Sequence, residues 1–289
     1  MRKHVVAAVA GAGVALAACS LVVDTDGLAS EVAEGALDGA SSAAEGATPT
    51  DAPPDDPRET PDADAGADAF GPCVGRAGPT GIRVGTYCID ATEVTVADYK
   101  AFLAASPTEI PAPPATCAWN TSYTPGAWPV AGDTLPVTDV DWCDAYMYCA
   151  WAGKRLCGAI GGGPTAPFDV DDPAVDQWFA ACSAGGTRRR PYGDASADAA
   201  VCNVVPTDGG GLWNVASSPA CSGGYPGIYD LLGNATEWVD SCTGTAGATD
   251  DCRIRESWYG GERSADCATT GVRGRDTHHS ARGFRCCSP

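Results

Sequence analysis

Bases are scarce in this 289-residue chain. Its 18 Lys and Arg stand against 37 Asp and Glu, a formal net charge of −19. That balance argues against nucleic acid as a partner, because phosphate binding needs basic patches. Histidine is nearly missing, with only His278 and His279 beyond His4, and no two cysteines have the C-x-x-C spacing. Together these argue against a structural zinc site. No aromatic residue precedes Phe70, whereas all eight tryptophans fall between Trp119 and Trp258. A sequence divided in this way has a core in its later part only. Long apolar runs are also lacking, so no segment is a comfortable transmembrane helix.

The one short apolar run, Val5 to Leu16, follows the basic Arg2, Lys3 and His4 and leads into Leu16-Ala-Ala-Cys19. This has the form of a signal peptide over residues 1–18 ending in a lipobox, with Cys19 as the lipidated residue. Ser20 follows, and no Asp stands there as a retention signal. The expectation is a lipid anchor in the outer membrane of a Gram-negative bacterium, at its periplasmic face or at the cell surface. Residues 19–70 then form an acidic Ala/Asp/Pro tether. From Ser20 to Phe70 there are thirteen acids and the single base Arg58. Such a segment buries too little apolar surface to offset its ordering entropy, and charge repulsion extends it.

Residues 71–289 are long enough for one sizeable core. They hold fourteen cysteines, an even number that predicts a disulfide framework of up to seven bridges. Helical spacing is found over Val94 to Ala105, with Thr92 as N-cap and Tyr99, Phe102 and Leu103 on one face. It recurs over Asp139 to Ala152, around Trp142, Tyr146 and Cys149, and more weakly over Pro173 to Ser183. Beyond Gly185 the chain is short segments between Gly and Pro. The pattern predicts an irregular, loop-rich α+β domain. Cys242 and Cys252 flank a Gly/Thr loop and are expected to pair locally.

The most informative stretch is Tyr225-Pro-Gly-Ile-Tyr-Asp-Leu-Leu-Gly-Asn-Ala-Thr-Glu-Trp238. Gly227, Gly233 and Asn234 tolerate backbone angles closed to most residues, which predicts a tight turn. Asp230 and Glu237 bracket it. Carboxylates beside exposed carbonyls supply the hard oxygen ligands that calcium prefers. A glycine-rich loop with solvated acids is the alternative from chemistry alone. Arg188-Arg-Arg190 is read as a solvated basic loop rather than an anion site. His278 and His279, beside Asp276 and Ser280, lack the nucleophile elbow that a hydrolase would need.

This stretch resembles the G-[IL]-Y-D-[ML]-x-G-N-x-x-E-W signature of the sulfatase-modifying-factor, or formylglycine-generating-enzyme (FGE), family. Three further blocks resemble that family in the same order. These are Cys88-Ile-Asp-Ala-Thr-Glu-Val-Thr-Val-Ala-Asp-Tyr99; Leu135-Pro-Val-Thr-Asp-Val-Asp-Trp-Cys-Asp-Ala-Tyr146 with Cys149-Ala-Trp-Ala-Gly-Lys-Arg-Leu156; and Gly283-Phe-Arg-Cys286. The resemblance implies a disulfide-stapled variant of the C-type-lectin-like fold. It implies bridges Cys149–Cys286 and Cys182–Cys267, while the other pairings stay open. It also implies structural calcium on the side chains of Asp230 and Glu237 with the carbonyls of Gly233 and Ala235. A second, weaker calcium set is Asn203, the carbonyl of Val204, and Asp208.

Family enzymes oxidise a substrate cysteine to formylglycine with copper(I) held by two cysteines spaced C-x-x-x-x-C, and soft thiolates suit that ion. Here the matching positions fall on Gly260 or Gly261 and on Ala265 or Asp266, so copper is not expected. The Trp of the family's "G-N-A-W-E-W" is Thr236. Relatives that use non-haem iron need a His-rich partner domain, which this chain lacks. The sequence therefore reads as a lipid-anchored envelope protein whose FGE-like domain binds a protein or glycan, or serves as a scaffold, without catalysis. A divergent formylglycine generator and a structural envelope component are the alternatives.

Overall fold

The computed structural model describes residues 72–73, 75–194, 201–205, 210–262 and 264–289. The expected signal peptide, Cys19, the acidic tether and Asp208 lie outside the described residues. Among the described residues three α-helices and ten short strands alternate with long loops, a mixed α+β architecture. Among the described residues no helix is long and apolar enough to cross a membrane.

Strands β1 (Gly81–Val84) and β2 (Tyr87–Asp90) form a hairpin in which Val84 pairs with Tyr87. That register leaves a two-residue loop, and Gly85 supplies the positive φ of 56° that such a loop requires. Helix α1 spans Val96–Leu103 and α2 Trp142–Trp151; β3 is Arg155–Leu156 and α3 Gln177–Cys182. The later part adds β4 (Ser222–Gly223), β5 (Tyr225–Tyr229), β6 (Thr236–Cys242) and β7 (Asp251–Arg255). The last three are β8 (Thr270–Gly274), β9 (Arg282–Phe284) and β10 (Cys286–Ser288). One sheet runs β1-β2-β10-β3, a second is the pair β4-β5, and a third runs β8-β7-β6-β9. Within the third, β6 and β9 are parallel and the other pairs antiparallel.

All three helices start later than their spacing predicts. Thr95, not Thr92, caps α1, in a capping box with Asp98. Val94 is held out of the helix because its N–H donates to the Phe284 carbonyl and its carbonyl accepts from Val137. Helix α2 is capped by Asp141 with Asp144, since Asp139 sits at φ 62°. Asp176 caps α3 through the Phe179 N–H.

The core centres on Tyr99, which stacks on Tyr148 at 5.6 Å and meets Phe102 and Phe284 edge-on. Two buried indoles bind the halves together: Trp142 donates to the Val239 carbonyl and Trp238 to that of Val140. A polar tip satisfied in this way lets a large ring be buried without an orphaned N–H.

All fourteen cysteines from Cys73 onward are bridged. The pairs are Cys73–Cys88, Cys117–Cys143, Cys149–Cys286, Cys157–Cys287, Cys182–Cys267, Cys202–Cys221 and Cys242–Cys252.

Candidate functional site

The turn between β5 and β6 is built from left-handed residues. Gly233 has φ of 86° there, and Asp230 and Asn234 have φ of 57° and 58°, while Gly227, also at 86°, lies inside β5. At Gly233 a Cβ would lie 2.6 Å from the Asn203 carbonyl oxygen, so this position also needs glycine for close approach. Asn234 is the hub of the turn. Its amide nitrogen donates to Glu93 Oε1 at 3.0 Å, its side-chain oxygen accepts from the Trp213 N–H at 2.8 Å, and its own N–H donates to the Asn203 carbonyl.

Glu237, on β6, faces a guanidinium. Arg285 Nη2 donates to its Oε1 at 2.7 Å, Arg285 Nε lies 3.0 and 2.9 Å from Oε1 and Oε2, and Trp178 Nε1 donates to Oε2 at 2.7 Å. Both partners of the ion pair are buried, at 0% and 2% side-chain exposure. Three N–H groups, two of Arg285 and one of Trp178, thus engage a carboxylate that offers about four acceptor positions. Asp230 Oδ2 accepts from the Ala216 N–H at 2.6 Å. Burial pushes Asp230 up to about 6, against that bond and the pull of Arg285. Burial, with Asp230 beside it, pushes Glu93 well above the usual carboxylate range. Burial lowers Arg285, but Glu237 more than offsets it and the guanidinium ends above its ordinary value.

This arrangement competes with the expected calcium ligation through Glu237. The cation that Glu237 faces is a side chain, and a metal would have to share the carboxylate with that buried ion pair. Among the described residues no group of three or more His, Cys, Asp and Glu is placed to hold one. In the second expected set, Asn203 turns its amide nitrogen to the Gly211 carbonyl at 2.8 Å and Val204 is buried beside it.

The positions that match the family's copper cysteines border a cavity of about 390 Å³ lined by Glu256, Trp258, Gly260, Gly261, Glu262 and Ala265, among others. It contains no thiol, since Cys267 next to it is bridged to Cys182. A Cβ at Gly260 would lie 2.5 Å from the Trp258 ring, so the indole fills the space a cysteine side chain would need. Ser257 is buried and accepts the Gly233 N–H at 2.9 Å, joining this loop to the β5–β6 turn. His278 and His279 are exposed. Arg190 corrects the reading of a solvated basic loop: it is buried, and its Nε donates to the Ala265 carbonyl at 2.9 Å.

The family described as "Sulfatase-modifying factor enzyme 1-like domain" matches residues 58–288. The chain belongs to the sulfatase-modifying-factor family. Similar curated proteins include the hercynine oxygenase of Mycolicibacterium smegmatis, 34% identical over 122 residues, or 39% of this chain and 23% of that protein. The formylglycine-generating enzyme of Bos taurus is 27% identical over 158 residues, 51% of this chain and 37% of that protein. The chain thus matches well under two thirds of these relatives. Among solved structures, CarF is 20% identical with a TM-score of 0.49, covering 75% of this chain and 96% of that one. PvdO from Pseudomonas aeruginosa is 19% identical with a TM-score of 0.48, covering 70% and 79%.

Within the sulfatase-modifying-factor domain, sequence reasoning missed the role of Glu93, Arg285 and Trp178. Glu93 and Arg285 stand inside the quoted blocks, so the signal was present, but their charge was not connected to Glu237. Asn234 was read for its backbone freedom alone.

Proposed function

We propose that this chain is a non-catalytic binding module of the sulfatase-modifying-factor family, exported and held at a membrane by lipid on Cys19. The observation that carries the reading is the state of the cysteines. Every described cysteine is in a disulfide, and a bridged sulfur is not the thiolate that copper(I) chemistry requires. The cavity at the corresponding loop offers carboxylates and glycines instead. A seven-bridge frame with long loops is suited to presenting a ligand site rather than to redox turnover. The ligand is a protein or a glycan.

The test is to incubate the full-length protein with copper(I), oxygen and a cysteine-containing peptide, while mapping the fourteen domain cysteines by mass spectrometry without reduction. The expected result is complete bridging and no aldehyde product. Formylglycine formation above a copper-only control overturns the reading.

A further inference from the structure

A second, smaller cavity of about 150 Å³ shares Trp258 with the first and is lined by Thr236, Ile254, Glu256, Arg273, His279 and Arg282 as well. That volume is about that of five waters in the liquid. Thr236 stands where the family resemblance leads one to expect Trp, and its hydroxyl is turned to the Ala281 carbonyl at 3.1 Å. A small residue at this position leaves the space open.

The donors around the cavity outnumber the acceptors. Arg282 is only 4% exposed. Its guanidinium packs over the Trp238 ring at 4.7 Å and its Nη1 donates to Thr277 Oγ1 at 3.0 Å, yet its buried Nε has no partner. An unmet buried donor on a charged group is costly. His279 Nδ1 accepts from the Ala281 N–H at 3.2 Å, so the neutral ring carries its proton on Nε2 as a further donor. Arg273 is already paired with Glu256. Two guanidiniums thus face one carboxylate. Burial, and then the like charge of Arg273, pulls Arg282 down to about 10, with Glu256 opposing.

We infer that this cavity binds a carboxylate, seated against Arg282 and His279 with its apolar body on Trp258 and Ile254. An Arg fork matches a planar carboxylate, and the pair is a charge-assisted one. The carboxylate belongs either to a small free acid or to an acidic side chain of a peptide whose remainder lies in the larger cavity, because Glu256 and Trp258 line both. This deepens the non-catalytic reading and rests on it for its biological meaning.

The experiment titrates the full-length protein with butyrate and with its neutral isostere butyramide, following Trp fluorescence and heat. Parallel titrations use N-acetyl-glutamate N-methylamide and the glutamine equivalent. Saturable butyrate binding, with butyramide weaker by at least about tenfold, is the expected result. Tighter binding of the glutamate compound than of butyrate assigns the site to acidic side chains; the reverse order assigns it to free acids. His279→Phe, at an exposed position, and Thr236→Trp should each weaken binding at least about tenfold while all seven bridges remain. Arg282→Gln should do the same if it folds. Equal affinity for acid and amide, no saturation by either acid, or unchanged binding in both His279→Phe and Thr236→Trp overturns the inference. Copper-dependent formylglycine formation would sink the non-catalytic reading alone, and failure of both acids to saturate would sink the carboxylate site alone.

Discussion

Cys286 and Cys287 are neighbours on β10 and are bridged in opposite directions, Cys286 to Cys149 of α2 and Cys287 to Cys157 just after β3. Successive strand residues point to opposite faces of a sheet. The first bridge lies in the cluster around Tyr99 and Trp238, the second in that around Trp178 and Ile228. Replacing either pair with Ser should cost about 2–5 kcal/mol and lower the unfolding midpoint. A variant without Cys149–Cys286 that unfolds like the parent would show that the sheet holds without this staple.

Glu237 should behave as half of a buried ion pair and not as a metal ligand. Removing one partner of such a pair typically costs about 3–5 kcal/mol, so Glu237→Ala and Arg285→Ala should both be severely destabilised in urea melts. A chelator in excess should leave the thermal midpoint of the parent within about 2 °C. A large fall on adding EDTA, restored by calcium and missing in Glu237→Gln, would refute this assignment.

Acidification should stabilise the fold. Burial pushes Asp144 up to about 7, with the Asp141 charge adding to it, and pushes Asp141 up to about 6. Both start from 3.8, so the folded chain holds their proton more tightly than the unfolded one. The stabilisation is complete below about pH 4 and is lost as pH rises through 6 to 7. Asp90, pushed up to about 7 by burial against the pull of Lys154, has the same sign. The groups acting on the α2 pair include Asn120, His278 and Asp276. Urea melts should give a stability higher at pH 5 than at pH 8 by roughly 1–3 kcal/mol, and Asp144→Asn should shrink the difference. A midpoint that rises with pH would contradict this.

Gly233→Ala tests the close approach at the turn. The left-handed backbone and the 2.6 Å contact with the Asn203 carbonyl predict a loss of about 1–3 kcal/mol. The same change at Gly161, also at positive φ but with nothing within 4 Å of its Cβ, should cost less.

The sequence carried the helices well and the sheets poorly. Trp142 and Cys149 at helical spacing place α2, and Tyr99 and Phe102 place α1, because a helix records its buried face locally. Strands β3 and β10 are two and three residues long, too short for alternation to show. Their pairing depends on partners more than a hundred residues away. The start of α1 was missed because the lateral bonds that hold Val94 out of it are long-range. The candidate site was half legible. Gly233 and Asn234 announce a turn by their chemistry, but the meeting of Glu237 with Arg285, 48 residues on, cannot be read from either neighbourhood. Acidic residues in a glycine loop suggest a metal, and neither neighbourhood tells that Glu237 already faces a side-chain cation.

The long reach of the β10 bridges also sets an order of events. A chain that emerges N-terminus first presents Cys149 and Cys157 long before their mates, which follow 137 and 130 residues later. In the interval Cys182, Cys202 and Cys221 all pass within easier range, and short loops close faster than long ones. Cys202–Cys221 can form as soon as it is exposed, whereas the two bridges that clamp the central sheet must form last or be reached by reshuffling. Oxidative maturation therefore ends at β10, and a thiol–disulfide isomerase should speed the yield of native protein more than an oxidant alone.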